Sequence, residues 1–111
     1  MKSCESLPER VLMKNNYLNM LGLAYRARRC SLGEDTIVKD IQQQKAKLVI
    51  IAHDTGKQTM KKLTDKCTYY NVPYKIAGSR DELSNAMGKS GRVAVAILDA
   101  GFAKKIESML D

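Results

Sequence analysis

The sequence contains no tryptophan and only one phenylalanine among its 111 residues. A core without large aromatic rings has to be built from Val, Ile, Leu, Met and Ala. Hydrophobic residues make up 44% of the chain, which is enough for one globular domain. Long hydrophobic runs are also missing, since runs such as Leu48–Ala52 are far too short to cross a bilayer. The composition therefore predicts a single domain that does not enter a membrane.

Cysteine and histidine are scarce as well. The three cysteines, Cys4, Cys30 and Cys67, form no C-x-x-C pair, and His53 is the only histidine. Disulfide frameworks and zinc sites need paired or clustered ligands, so we expect no disulfide, no metal and no other cofactor. The first 13 residues carry charges where a secretory signal has an apolar stretch. These observations favour the reducing cytoplasm.

Acidic residues are in the minority, because 12 Asp and Glu stand against 19 Lys and Arg, which gives a formal net charge of +7. A basic domain attracts polyanions, but the charge alone does not separate RNA from DNA or from an anionic membrane surface. No basic helical segment carries bulky aromatic residues on its opposite face, so a membrane-surface helix is not predicted.

The apolar pattern alternates between strand-like and helix-like segments. Periodic apolar residues begin only at Tyr17. We therefore expect residues 1–15 to form a flexible N-terminal extension, with Met13 as a candidate native start, and residues 16–111 to form the domain. The predicted extended segments are Arg28–Leu32, Leu48–Ala52, Tyr74–Ala77 and Val93–Leu98. The residues predicted to begin helices are Asn16, Gly33, Asp54 or Thr55, Ser79 and Asp99. This alternation predicts an α/β fold with helices on both faces of a sheet.

The segment Gly88–Arg92 contains Gly-Lys-Ser, as does the phosphate-binding loop of nucleoside triphosphatases. That loop requires a glycine five residues earlier, where this chain has Leu83, and it follows a strand, whereas a predicted helix precedes this segment. A nucleotide site is therefore not predicted. We interpret the segment as a cationic loop suited to a nucleic-acid backbone, the alternative being a plain solvated turn. Its residues are Gly88, Lys89, Ser90, Gly91 and Arg92.

His53 and Asp54 follow a predicted strand, where such a pair can serve acid–base chemistry. No nucleophile motif such as G-x-S-x-G accompanies them, and no second histidine or acidic cluster is present to hold a metal. A capping or surface role is the simpler interpretation, and we do not expect an enzyme.

A basic helix face is predicted from lysines at helical spacing. Its members are Lys57, Lys61, Lys62 and Lys66. Such a face is usually the solvated side of a helix. It also supports the alternative function for this chain, a protein-interaction or assembly module that binds through the Lys57–Lys66 face.

The stretch Arg26–Lys39 is the strongest functional candidate. Its glycine lets the backbone approach a partner closely, the arginines before it suit phosphates, and the polar residues after it can reach base edges. Acids in the first turn of a helix are also favoured by its dipole, which explains them without explaining the glycine or the arginines. The candidate RNA-binding residues here are Arg28, Arg29, Gly33, Glu34, Asp35, Thr36 and Lys39.

Residues from about 16 to 111 resemble the superfamily of ribosomal proteins that includes L7Ae and L30e. The resemblance lies in a series of segments that follow one another in the same order along this range. They are Leu21–Ala27, Gly33–Asp35 with Lys39, Ala46–Ala52, Cys67–Tyr74, Gly88 and Val93–Ile97. The resemblance implies a three-layer α/β/α sandwich around a four-stranded mixed sheet. It also implies binding to RNA kink-turns, which are sharply bent helix–internal-loop–helix elements with tandem sheared G·A pairs.

In that superfamily a G-x-N-E-x-x-K motif at the first strand–helix junction contacts exposed guanine edges. Gly33 and Lys39 match the motif, whereas Asp35 stands in place of the Asn and Thr36 in place of the Glu. Asp cannot donate as Asn does, and Thr has neither the reach nor the charge of Glu. We therefore expect guanine recognition that is weaker or differently arranged, with Glu34 as a candidate participant.

The resemblance also implies that a loop before the last strand, here Gly88–Arg92, covers the bulged nucleotides. This loop is more cationic than the apolar loop of archaeal relatives, which implies more reliance on phosphate contacts. Arg29 falls where the superfamily often has a basic residue near the RNA backbone. The resulting expectation is a non-enzymatic, monomeric, ribosome-associated RNA-binding protein.

Overall fold

The computed structural model describes the backbone of residues 9–88 and 91–110, with side chains from residue 17 onwards in these ranges. Its helices are α1 (Glu9–Arg26), α2 (Glu34–Gln42), α3 (Lys57–Tyr69), α4 (Arg80–Met87) and α5 (Ala100–Leu110). Its strands are β1 (Cys30–Leu32), β2 (Leu48–Ile51), β3 (Tyr74–Ile76) and β4 (Ala94–Ile97). Residues 1–8 of the predicted extension and the predicted loop residues Lys89 and Ser90 lie outside the described residues.

The four strands form one mixed sheet in the order β1-β4-β2-β3. β4 is antiparallel to both β1 and β2, whereas β2 is parallel to β3. The central strands β2 and β4 are buried along their whole length, as a continuous apolar run predicts for a strand covered on both faces. The edge strand β3 is largely exposed.

The side chains of the central strands alternate between two hydrophobic clusters, one on each face of the sheet. In β2, Leu48 and Ile50 pack with residues of α1, α4 and α5, whereas Val49 and Ile51 pack with residues of α2 and α3. The side chains of β4 alternate in the same way, with Val95 and Ile97 in the first cluster and Ala94 and Ala96 in the second. The prediction of an α/β/α sandwich with a four-stranded mixed sheet is therefore confirmed.

Two of the predicted helix starts are wrong. α1 begins well before Asn16, which therefore lies within the helix and is not its N-cap. α3 begins at Lys57 rather than at Asp54 or Thr55. Asp54 and Thr55 do not cap α3, because their side chains form hydrogen bonds with other parts of the chain. The Thr55 hydroxyl donates to the carbonyl of Ala52 at 2.7 Å, and the Asp54 carboxylate contacts the start of α4.

The predicted starts of the last two helices and the predicted end of α4 are confirmed. At the start of α4 the Ser79 hydroxyl accepts the Glu82 N–H at 3.1 Å, and the Glu82 carboxylate accepts the Ser79 N–H at 2.9 Å. α4 ends at Gly88, whose left-handed φ of 68° turns the chain into the next loop. At the start of α5, the Asp99 carboxylate accepts the Phe102 N–H at 2.9 Å.

Gly78, in the turn between β3 and α4, has a φ of +73°, which a residue with a side chain rarely adopts. A Cβ there would also lie 2.5 Å from the hydroxyl oxygen of Tyr17. We expect Gly78→Ala to lower the free energy of unfolding by about 2 kcal/mol, measured by urea denaturation. The matched control is Gly56→Ala, because Gly56 has a φ of −58° and open space around the added Cβ. Equal effects of the two changes would contradict the prediction.

Candidate nucleic-acid interface

The corner between β1 and α2 is formed by Gly33. Its φ of 93° and ψ of 134° are strained for any residue that carries a side chain. The Gly33 carbonyl accepts the Ile37 N–H at 2.9 Å and so begins the helix, but no described side chain caps the helix N-terminus. The first amide groups of α2, at the positive end of the helix dipole, are therefore available to a ligand.

Glu34 is held by α3. Its carboxylate lies 3.0 Å from the Lys62 ammonium and accepts the Thr59 hydroxyl at 3.2 Å. The hydrogen bond from Lys62 lowers the pKa of Glu34, so this carboxylate stays ionised and directed towards α3. Neither Thr59 nor Lys62 was predicted to belong to the site, because nothing in the sequence indicates that α2 and α3 lie side by side.

The outer face of α2 carries three exposed polar side chains. Ile37 and Ile41 turn one face of the helix into the core, and this rotation places Asp35, Thr36 and Lys39 on the opposite face. None of the three side chains forms a hydrogen bond or an ion pair with another described residue. These side chains are therefore available to a partner, with Lys39 one turn beyond Asp35.

The two segments predicted to contact RNA meet in one cleft. β1 and β4 are antiparallel with Leu32 opposite Val95, so the end of β1 lies beside the beginning of β4. This pairing brings the corner next to the loop that precedes β4. The cleft has a volume of about 220 Å³ and is lined by Gly33, Glu34, Ile37, Thr59, Leu63, Gly91, Arg92, Val93 and Ala94.

Arg92 is fixed in this cleft by Ser84 of α4. The Ser84 hydroxyl accepts the Arg92 N–H at 3.0 Å and donates to the Arg92 carbonyl at 3.2 Å. The Nε–H of the Arg92 guanidinium is buried and has no acceptor among the described residues. A buried donor without an acceptor costs about 1–3 kcal/mol. Ser84 was not predicted, and its only signal is a small polar residue at an inward position of α4.

Arg28 and Arg29 lie at the other end of β1. The Arg29 carbonyl accepts the Leu98 N–H at 2.7 Å, next to the Cys30–Ile97 pair of the sheet. At roughly 3.3 Å per residue, the strand separates Arg29 from Gly33 by about 13 Å. β1 therefore extends between these two arginines and the glycine corner.

The structure places His53 and Asp54 in the segment between β2 and α3. The His53 side chain is exposed, and the Asp54 carboxylate accepts the Arg80 N–H at 2.9 Å, which agrees with a capping role.

Burial raises the pKa of Cys30 to about 12 and that of Cys67 to about 11, so both thiols stay protonated. Within the described ranges, no group of three His, Cys, Asp or Glu is placed to hold a metal, and no helix is long and apolar enough to span a membrane.

The predicted basic face of α3 is partly neutralised within the protein. Lys61 lies 3.3 Å from Asp65, and Lys62 binds Glu34. Lys57 and Lys66 have no such partner among the residues that the structure describes.

The fold, the glycine corner and the cationic loop beside it define a class of small α/β/α domains built around a mixed sheet. The chain belongs to the ribosomal protein L7Ae/L30e/S12e/Gadd45 family, whose profile matches residues 15–107. The resemblance found in the sequence is therefore confirmed.

Individual relatives match most of the chain. The RNA-binding protein YlxQ of Bacillus subtilis is 51% identical over 92 residues, which span 83% of this chain and 92% of that protein. YlxQ of Enterococcus faecium is 39% identical over 94 residues, or 85% of this chain and 90% of that one. A solved Bacillus halodurans protein of unknown function has 44% identity and a TM-score of 0.83, covering 86% of this chain and 96% of that one. The Giardia lamblia 15.5kD RNA binding protein has 25% identity and a TM-score of 0.73, covering 93% of this chain and 92% of that one.

Proposed function

We propose that this chain is a non-enzymatic RNA-binding protein that recognises kink-turn RNA and acts in the cytoplasm in association with the ribosome. The observation that carries the proposal is the cleft in which the Gly33 corner meets Arg92 of the loop before β4. A glycine corner, an uncapped helix N-terminus and a guanidinium together suit a bent polyanion. The relatives named for RNA binding support RNA as the polyanion.

The exposed face of α2 supplies the groups for base recognition. The Asp35 carboxylate and the Thr36 hydroxyl can accept hydrogen bonds from guanine N–H groups, and the Lys39 ammonium can donate to guanine oxygen and nitrogen acceptors. In a regular RNA duplex the deep, narrow major groove hides these edges from side chains. A kinked internal loop exposes them, so the protein distinguishes its target by shape as well as by base contacts.

Glu34 has a supporting role in this proposal. It does not replace the Glu of the superfamily motif, because Lys62 and Thr59 hold its carboxylate against α3. Pairing with Lys62 also offsets the repulsion that a free carboxylate would exert on a phosphate close to the corner. Recognition of the guanine N–H groups then falls to the oxygen atoms of Asp35 and Thr36, and recognition of the guanine acceptors falls to Lys39.

The cleft beside Gly91 takes the bulged nucleotides. Arg92 lines this cleft, and its positive charge would attract a phosphate of these nucleotides. The Ser84 hydroxyl holds the Arg92 backbone in place for this contact.

The test is a titration of the full chain with a kink-turn RNA and with a straight RNA duplex of equal length, at two salt concentrations. We expect the kink-turn to bind at least about tenfold more tightly at both salt concentrations, because base contacts are less sensitive to salt than phosphate contacts. Equal affinity for the two RNAs would reduce the interaction to unspecific electrostatic attraction and overturn the proposal.

Arg92→Ala is expected to reduce the dependence of kink-turn affinity on salt more than the preference for the kink-turn. Loss of one phosphate contact lowers the slope of log K against log salt by about 0.7–0.9. The matched control is Lys104→Ala, which removes an exposed charge from α5 on the opposite face of the sheet. If both variants keep the wild-type slope, Arg92 makes no phosphate contact.

A further inference from the structure

A second concave surface lies on α3, outside the cleft. It has a volume of about 440 Å³ and is lined by Lys62, Asp65, Lys66, Tyr69 and Tyr70. The Tyr69 side chain is 78% exposed, more than any other large hydrophobic residue that the structure describes. An aromatic ring so exposed contributes little to the core, so its place on the surface calls for another role.

Tyr69 stands at a firmly anchored helix end. Its ring meets the half-buried ring of Tyr70 edge to face, with the centroids 4.8 Å apart. The Gln44 amide donates to the Tyr70 carbonyl at 3.1 Å, and Asn71, two residues after the end of α3, turns the chain with a φ of 58°. The ring is therefore presented to solvent on a fixed backbone.

This surface continues from the cleft. At one end of α2 and α3, Glu34 contacts Thr59 and Lys62, and at the other end Gln44 contacts Tyr70. The two helices thus run side by side in the same direction. At 1.5 Å per residue, Lys62 and Tyr69 are separated by roughly 10 Å along α3, a distance that a few nucleotides can span.

The charge on this surface favours a polyanion. Lys66 has no ion-pair partner among the described residues, and Asp65, which is occupied by Lys61, is the only acid of α3. Proteins bind single-stranded nucleic acid with basic residues that contact the phosphates and with exposed aromatic rings that stack on the bases. Lys66 and Tyr69 provide this combination.

We infer that the surface formed by Lys62, Lys66 and Tyr69 binds an unpaired RNA segment that continues from the nucleotides held in the cleft. The Tyr69 ring stacks on a base, and the Lys66 ammonium contacts a phosphate. The inference rests on the proposed function and narrows it, since the preferred target is a kink-turn with a single-stranded flank. A paired strand fits less well, because its bases are stacked within the duplex and present no open face to the ring.

The experiment compares two RNAs with the same kink-turn, one blunt-ended and one carrying unpaired tails of about six nucleotides. We expect the tails to raise wild-type affinity about tenfold and Tyr69→Ala to abolish this gain, with the affinity for the blunt RNA unchanged. Tyr69→Phe is expected to keep the gain, because stacking needs the ring and not the hydroxyl. Tyr74→Ala, which removes a tyrosine from the edge strand β3, is the matched control and is expected to keep it too.

The outcomes separate this inference from the proposed function. If the tails add no affinity while the kink-turn still binds better than a duplex, the inference is overturned, the proposed function stands, and the lysine face is left to another partner such as an acidic protein. The inference is also overturned if Tyr69→Ala weakens both RNAs equally or leaves the gain intact. If neither RNA binds better than a duplex, both fail.

Discussion

Gly33→Ala is expected to weaken the binding of kink-turn RNA at least about tenfold and to leave the domain folded. The cause is backbone strain of about 1–3 kcal/mol, because the φ of 93° suits a residue without a side chain. Crowding is not the cause, since the nearest atom to an added Cβ is the Thr36 hydroxyl oxygen at 3.9 Å. The corner would relieve the strain by changing its dihedral angles, and the beginning of α2 would then move relative to Arg92.

Affinity is measured by fluorescence anisotropy with labelled kink-turn RNA, and stability by urea denaturation of the same variant. Gly56→Ala serves as the control, because it introduces the same methyl group at a residue whose φ of −58° is ordinary. A variant that loses stability but binds the kink-turn as tightly as the wild type would show that the Gly33 corner is not part of the RNA-binding surface.

Lys39→Ala is expected to weaken kink-turn binding by about 10- to 100-fold and duplex binding far less. A hydrogen bond to a charged group contributes about 1.5–3 kcal/mol, and only the kinked RNA offers a base acceptor to this ammonium. Because Lys39 is exposed and has no partner among the described residues, its removal should not change the free energy of unfolding.

The two RNAs are titrated against Lys39→Ala and against Lys105→Ala, which removes an exposed lysine from α5, in the helix layer on the other face of the sheet. The control variant should keep the wild-type preference for the kink-turn. If Lys39→Ala lost the same affinity for both RNAs, Lys39 would contribute only general charge, and base recognition would have to be assigned to other residues.

Features that depend on neighbours in the chain could be predicted from the sequence. The capping box of α4 joins Ser79 to Glu82, three residues apart, and Gly88 ends the helix by its own backbone freedom. The burial of Leu48–Ile51 follows from an uninterrupted apolar run. The glycine corner was predicted because its spacing to Lys39 can be compared directly with the superfamily motif.

Features that depend on tertiary packing could not be predicted from the sequence. The pairing of Glu34 with Lys62 requires α2 and α3 to lie side by side, and the support of Arg92 by Ser84 requires the loop to fold back on α4. Asp54 resembles an N-cap in sequence, but its carboxylate contacts the start of α4, 26 residues further along the chain. The distance of Arg28 and Arg29 from Gly33 could not be predicted either, because it is set by the length of β1 between them.

The antiparallel pairing of β1 with β4 has a consequence for the whole molecule. Gly33 and Arg92 belong to distant parts of the polypeptide, and these two strands are what joins them. The binding site therefore exists only in the folded chain, so the nucleic acid binds the folded form and stabilises it. At a ligand concentration of one hundred times the Kd, this stabilisation is about 2.7 kcal/mol. Folding and RNA binding are then linked equilibria, and any change that weakens the pairing of β1 with β4 also lowers the affinity for the nucleic acid.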